Sequence, residues 1–446
     1  MRNFFRFVAW ACWSLSVLGA APANSAEPAS EFSLENGLRV VVVPDHRVPV
    51  VAHMIWYRAG AADDPAGKSG IAHFLEHLMF KSTAALKSGQ FAVELNRLGG
   101  RGNAQTNQDT TVYFERVPRD SLRAVMALEA DRMMNLRLQE DEVRTERDVI
   151  LEERRSTIDG NPVKVMGEQM LATLYLNHPY RRPPIGWGNE MATLSQADAL
   201  TFYKRFYGPD NATVVVAGDV TEREVRIWSE ETYGKNKQAA VPMDRMRPQE
   251  PRRVTARRVV LERPGSATLL RYYLTPSYAS ALPNEAASLE LLAQILGGDD
   301  GARLYRALEA RKLASSAGVD YIGNALEGGR LAFIVEPFTA SSMADAEAVI
   351  DDVIVGMREG ELTNEELDLA KSTLDARETF ARDELLSLAR LYGEAAGVGR
   401  SVEDVEALSK RRHDVTVDEV RQAAKVYLDP ARSVTGMLVP PKASKP

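Results

Sequence analysis

The sequence predicts an α+β protein of two homologous domains, each an antiparallel sheet packed with helices, facing each other across a cleft. Three observations predict it. Strand-like and helix-like runs interleave without a strict βαβ rhythm, which favours antiparallel sheets over a doubly wound parallel one. The order of elements in the first half recurs in the second, and Leu138-Gln139-Glu140-Asp141-Glu142-Val143 resembles Leu362-Thr363-Asn364-Glu365-Glu366-Leu367. Between the halves, Lys235 to Pro251 lacks apolar periodicity and holds three prolines, the composition of a linker.

In the first half, Leu38 to Val43 and Val50 to Tyr57 are apolar runs flanking the turn Pro44-Asp45-His46, and they read as a strand pair. A Gly/Asp-rich loop, Ala59 to Gly70, leads into a helix from Ile71 to about Phe80. A second helix, about Ser88 to Leu98, stops at Gly99-Gly100. Thr110 to Val117 alternates as a strand, Ser121 to Asn135 and Glu140 to about Asp159 are helices, and Ala212 to Val216 is a third strand before Gly218-Asp219. The second half repeats this order. Strands at Val259 to Leu261 and Ala267 to Leu274 precede a helix, Asn284 to Leu296, stopped by Gly297-Gly298. A strand at Leu331 to Val335 and helices at Ser342 to Gly356 and Asn364 to about Asp383 follow. These readings divide the chain into a leader (1–26), a first domain (27–240), a linker (241–252) and a second domain (253–446).

The leader has its own logic. Arg2 and Arg6 precede an apolar run, Phe7 to Ala21, and small residues follow through Ala26. This is the layout of a secretory signal peptide, and the run is short of the roughly 20 residues a membrane span needs. Cleavage after Ala23 or after Ala26 fits, and the expected location is periplasmic or secreted. The only cysteine, Cys12, lies inside the run, so the processed chain needs no disulfide. No later stretch is long enough to span a membrane. A net charge of −7 gives no support to a nucleic-acid partner.

The chemistry concentrates in Gly70-Ile71-Ala72-His73-Phe74-Leu75-Glu76-His77-Leu78-Met79-Phe80. On a helix, His73, Glu76 and His77 share one face. Two imidazoles one turn apart can grip one zinc ion beside a carboxylate. H-x-x-E-H is the inverse of the commoner H-E-x-x-H zinc motif and marks inverzincins. A plain polar face is the alternative, but the flanking residues Phe74, Leu75, Leu78 and Met79 bury the helix. Burying such groups without partners costs several kcal/mol. A hydrolytic zinc needs a third protein ligand. The region Glu146-Arg147-Asp148-Val149-Ile150-Leu151-Glu152-Glu153-Arg154 offers Glu146 and Glu153 on one face and Glu152 aside, and spacing alone leaves these open against a solvated acidic face.

These motifs resemble the pitrilysin family, which includes insulin-degrading enzyme and mitochondrial processing peptidase. The resemblance rests on H-x-x-E-H, on Glu-Arg-x-Val-x-x-Glu-Glu at 146–153, and on Gly102-Asn103-Ala104, His178-Pro179-Tyr180 and Gly218-Asp219-Val220. It covers nearly the whole processed chain. It implies His73, His77 and Glu153 as ligands to one Zn2+ per chain, with Glu146 supporting the site from behind. It implies Glu76 as general base, taking a proton from metal-activated water. It also implies that the strand carrying Asn103 and Ala104 pairs with substrate backbone, a β-augmentation.

The second half departs from that pattern. Aligning Leu138 with Leu362 sets Arg377 opposite Glu153 and Ala370 opposite Glu146. Active family members, or their partner chains, carry an arginine and a tyrosine near Gly301 to Tyr321 that contact substrate. Here the arginine position holds Glu309 and the tyrosine position holds Ser315 or Ser316. The resemblance therefore implies a heterodimer with a homologous subunit supplying the Arg/Tyr pair. Another residue, such as Arg303 or Arg311, can swing in instead. The leading expectation is a zinc-dependent endopeptidase hydrolysing peptides or unfolded, extended segments. A catalytically silent scaffold or partner subunit of the same fold is the alternative. A non-proteolytic zinc hydrolase fits less well with a peptide-pairing strand.

Overall fold

The computed structural model describes residues 27–236 and 247–441. The expected leader and much of the expected linker lie outside the described residues.

The first half runs β1 (Ser30–Ser33), β2 (Arg39–Pro44), β3 (Val50–Tyr57), α1 (Ile71–Leu78), β4 (Ser82–Thr83), α2 (Gln90–Arg97), β5 (Arg101–Thr106) and β6 (Thr111–Pro118). It continues through α3 (Leu122–Asn135), β7 (Leu136–Arg137), α4 (Glu140–Arg154), α5 (Pro162–Leu174), α6 (Gly188–Met191), α7 (Gln196–Phe206), β8 (Ala212–Gly218) and α8 (Glu222–Glu231). The second half runs β9 (Arg257–Glu262), β10 (Thr268–Pro276), α9 (Glu285–Gly297), α10 (Arg303–Ala310), β11 (Ala314–Ile322) and β12 (Gly328–Pro337). It ends with α11 (Met343–Glu359), α12 (Asn364–Asp383), α13 (Leu385–Gly397), α14 (Val402–Asp414), α15 (Val417–Tyr427) and β13 (Val434–Val439).

Each half has its own sheet, in the orders β1-β2-β8-β3-β6-β5 and β11-β12-β10-β13-β9. The expectation of purely antiparallel sheets needs one correction. In each sheet one pair is parallel, β2 with β8 and β9 with β13. The cause is topological. β2 and β3 run in opposite directions but do not pair, because β8 inserts between them. A strand placed between two opposed strands must lie parallel to one of them. β13 does the same between β9 and β10. The expected helix at Glu140 to about Asp159 also ends early, at Arg154, and passes into a π turn over Arg155–Asp159.

The two halves exchange a helix. Along β3, Val51, Ile55 and Tyr57 join the core that contains α1, whereas Ala52, Met54 and Trp56 face the other way and pack on α13 from the second half. Alternation of side chains along a strand makes these opposite faces of the sheet. Gly393 of α13 sits on Trp56, and a Cβ there would overlap the indole nitrogen. The second sheet is built the same way. Leu269 and Tyr273 of β10 face the helical core of their own half, while Leu270 faces Met166, Met170 and Leu174 of α5, lent by the first half. Each sheet is thus covered on one side by its own helices and on the other by its neighbour's.

Behind α1 lies a buried charge cluster. Arg132 of α3 bonds Glu129 and Glu115 and stacks on the rings of Phe80, Phe91 and Tyr113. Glu115 also meets His53 Nδ1 at 2.9 Å, and the Tyr233 hydroxyl meets His53 Nε2 at 2.9 Å. Full burial pushes the His53 imidazole down to about 4, against the opposing pull of Glu129, so it is neutral near pH 7.

Candidate metal centre

The loop ahead of α1 aims the helix. Asp64 is buried and its carboxylate accepts the backbone N–H groups of Gly70 (2.7 Å) and Ala72 (3.1 Å), satisfying free donors of the first turn. Gly70 caps the helix at φ 88°, and a Cβ there would meet the carbonyl oxygen of Ile185 at 2.7 Å. The chain therefore needs glycine at this point.

From this helix, His73 and His77 reach towards α4. Their rings lie 4.7 Å apart at 70°. Glu153 Oε2 is 3.4 Å from His77 Nε2 and 3.9 Å from His73 Nε2. The ligand atoms of His73, His77 and Glu153 all lie within 4.8 Å of one another. Two imidazoles and one carboxylate, converging from two helices, are a donor set that suits a zinc ion with an open fourth position. Burial first, and then the neighbouring His77, push the His73 imidazole down to about 3, so its ring nitrogens are not both protonated. Its Nδ1 is buried and has no hydrogen-bond partner among the described residues.

Glu146 stands behind His77. Its Oε1 is 2.8 Å from His77 Nδ1, and its Oε2 contacts Lys81 Nζ. Burial pushes Glu146 up, but the bonds from His77 and Lys81 outweigh it and hold the carboxyl below its usual range. Burial likewise disfavours charge on His77, and the Glu146 bond with the carboxylates of Glu76 and Glu153 more than offsets this, leaving His77 above its usual value. A carboxylate on the far nitrogen orients a metal-ligating imidazole.

Glu76 is buried, with 7% exposure, and burial raises its carboxyl above the usual value. Thr106 Oγ1 donates to Glu76 Oε2 at 2.5 Å. Thr106 ends β5, the edge strand of the first sheet. Asn103 and Ala104 lie on that strand opposite Phe114 and Tyr113 of β6. No strand pairs with the other side of β5 among the described residues.

Glu152 lies apart from this group. It pairs with Arg155 at 2.8 Å, both side chains about two-thirds exposed. In the second half, Arg377 of α12 donates to Gln294 Oε1 of α9 at 2.8 Å and to the Gly298 carbonyl. Glu309 lies on α10, and Ser315 and Ser316 on β11. Arg303 is engaged by both oxygens of Glu366 at 2.8 and 2.7 Å, and Arg311 meets Asp352 at 3.2 Å. Asp64, Lys81 and Thr106 escaped sequence reasoning. Lys81 stands four residues after His77, one helical turn on, which is the one local signal it offered.

The family model described as Insulinase (Peptidase family M16) matches residues 39–186, and the one described as Peptidase M16 inactive domain matches residues 193–374. The chain is 30% identical over 437 residues to the zinc protease PqqE of Helicobacter pylori, covering 96% of each. It is 28% identical over 437 residues to an uncharacterized zinc protease of Mycobacterium tuberculosis, again covering 96% of each. Among solved structures, a protease from Helicobacter pylori superposes with a TM-score of 0.86 at 28% identity, covering 93% of this chain and 100% of that one. The first half of the periplasmic protease PqqL from Escherichia coli shares the fold, with a TM-score of 0.77 at 24% identity and 93% coverage of both. With two family models spanning most of its length and a relative similar from end to end, the chain belongs to the insulinase family of peptidases, M16.

Proposed function

We propose that this chain is a zinc-dependent endopeptidase acting on peptides or unfolded, extended segments, with His73, His77 and Glu153 as the ligands of one zinc and Glu76 as the general base. The observation that carries this reading is the convergence of the three ligand atoms within 4.8 Å, beside a buried carboxylate on the same helix. Bound zinc would polarise the scissile carbonyl and acidify water. Glu76 takes the proton of the attacking water and returns it to the leaving amine. Glu146 holds His77 in place through Nδ1. The free edge of β5, at Asn103 and Ala104, receives the substrate as an added strand, which selects extended backbone more than sequence.

The same reading extends to a partner. Negative charge develops opposite the zinc in the transition state, and preorganised donors there are worth about 10²–10³ in rate each. Glu309 has the wrong sign for that task, and Arg303 is held by both oxygens of Glu366, while the exposed Arg311 meets Asp352 at 3.2 Å. A homologous subunit bringing an arginine and a tyrosine completes the site. The leader fits export to the periplasm or beyond, where such a pair would act. No described helix is long and apolar enough to cross a membrane.

Elemental analysis and a fluorogenic extended peptide test the reading together. Glu76→Gln should keep its zinc and lose turnover by about 10²–10⁴, the usual worth of a general base. Zinc-free Glu76→Gln, or Glu76→Gln at full turnover, would sink the role assignment. Full activity of the isolated chain, unchanged by adding the homologous subunit, would remove the heterodimer.

A further inference from the structure

We propose that Thr106 is a positioning residue for Glu76, tying the carboxylate of the base to the strand that receives the substrate. The inference rests on Glu76 being the general base. Thr106 holds the carboxylate through its hydroxyl, at 2.5 Å. A hydroxyl carries one proton, and two acceptors lie within reach of it. One is the Thr111 oxygen across the hairpin, 3.3 Å away, whose own proton goes to the Ala59 carbonyl at 3.0 Å. The other is the Glu76 carboxylate at 2.5 Å, which is nearer and takes the proton of Thr106. Thr111 is fully buried, so this arrangement is locked from behind.

The consequence is geometric. Helix α1 fixes only the backbone of Glu76 and leaves three side-chain torsions to be set. Thr106 is β-branched and stiff at χ1. It shares a face of β5 with Ala104, two residues upstream. A peptide added along the free edge of β5 is therefore read in a register fixed relative to the carboxylate that must reach its water. Substrate strand and base are one rigid unit.

The test uses full-length, zinc-loaded protein with any required subunit present, and the variants Thr106→Val and Thr106→Ser. Valine keeps the shape and removes the hydroxyl, while serine keeps the hydroxyl. Thr106→Val should lower kcat about tenfold to a hundredfold, the scale of a misplaced catalytic group. KM and zinc content should stay at their wild-type values, the melting temperature should fall by no more than the loss of one hydrogen bond brings, and Thr106→Ser should recover most of kcat. Crystals of the zinc-loaded variants give a readout independent of activity: the Glu76 carboxylate should leave its place in Thr106→Val and keep it in Thr106→Ser. An unmoved carboxylate with wild-type kcat in Thr106→Val overturns the proposal. So does a loss confined to KM, or one that follows zinc content or melting temperature. Combining Thr106→Val with Glu76→Gln should lower the rate no further than Glu76→Gln alone, and an additional drop also overturns it. Wild-type turnover by Glu76→Gln alone would instead defeat the reading of Glu76, whatever Thr106 does.

Discussion

The two halves of the molecule bring equivalent helices together and finish the junction in opposite ways. In the first, α1 meets α4 through His73, His77 and Glu153, with 3.4 and 3.9 Å between imidazole nitrogen and carboxylate oxygen and a buried His73 Nδ1 without a partner among the described residues. In the second, α9 meets α12 through Gln294 and Arg377, joined at 2.8 Å, and the Gln294 amide also donates to Asp299 at 2.9 Å. The second junction is a closed set of hydrogen bonds. The first is a set of donors drawn together but not satisfied by one another. Buried polar groups are normally paired, and among the described residues the first junction departs from that at His73 Nδ1. The second junction lacks both histidines as well as the glutamate: α9 has no histidine, and Arg377 stands where Glu153 does.

The most forceful way to break the comparison is to remove one side chain from each junction. His77→Ala should abolish zinc binding and peptide hydrolysis while leaving the fold in place, since the ligand set loses one of three members. Arg377→Ala should leave zinc content and turnover unchanged and lower stability by about 1 kcal/mol, the worth of an ordinary hydrogen bond. Zinc-content measurements and denaturant titrations on both variants check this. Zinc loss in Arg377→Ala would mean that the halves are not separable in this way.

Much of the first junction was legible in the sequence and little of the second. His73, Glu76 and His77 declare themselves because helical spacing is local. Glu153 did not, because Glu146, Glu152 and Glu153 share one acidic stretch and only the resemblance chose among them. The structure brings Glu153 to the histidines and turns Glu152 to solvent. β3 has the expected bounds, Val50–Tyr57, since a continuous apolar run with sharp turns at its ends leaves little freedom. β11 was missed. Ala314–Ile322 is half small and polar, and its strand character comes from pairing with β12. The insertion of β8 between β2 and β3, and the exchange of α5 and α13, depend on contacts far apart in the chain. An apolar helix face states that it will be buried and not which sheet will bury it.

A smaller contrast concerns acid. Of the six histidines, His46, His53, His73, His77 and His178 lie in the first half, and only His413 in the second. His53 is buried and neutral in the fold, its value pushed down to about 4 by burial, while an unfolded histidine titrates near 6.5. Between those values the unfolded state binds more protons. The contribution of His53 is therefore complete above pH 6.5 and drains away as pH falls towards 4. Its carboxylate neighbours titrate as well, so the clean readout is a difference. His53→Gln should lose less stability than the wild type between pH 7 and pH 4.5, measured by denaturant titration of zinc-free protein. Parallel pH profiles for the two proteins would remove His53 as the acid-sensitive group.

The smallest effect expected is also the sharpest check on where the first junction ends. Glu152 and Glu153 are neighbours on α4, yet a step of one residue turns a helical side chain by about 100°. Glu153 faces His73 and His77, whereas Glu152 bonds Arg155 at 2.8 Å with both side chains about two-thirds exposed. Exposed pairs of this kind contribute about 0–1 kcal/mol, because water and salt screen them. Glu152→Ala should therefore keep zinc at the wild-type level, keep kcat and KM, and shift the unfolding midpoint barely or not at all. Glu153→Ala, one residue on, should lose the metal. If the two substitutions exchanged effects, the register of α4 against α1 would be wrong by one residue, and the ligand set would have to be redrawn with Glu152 as its third member.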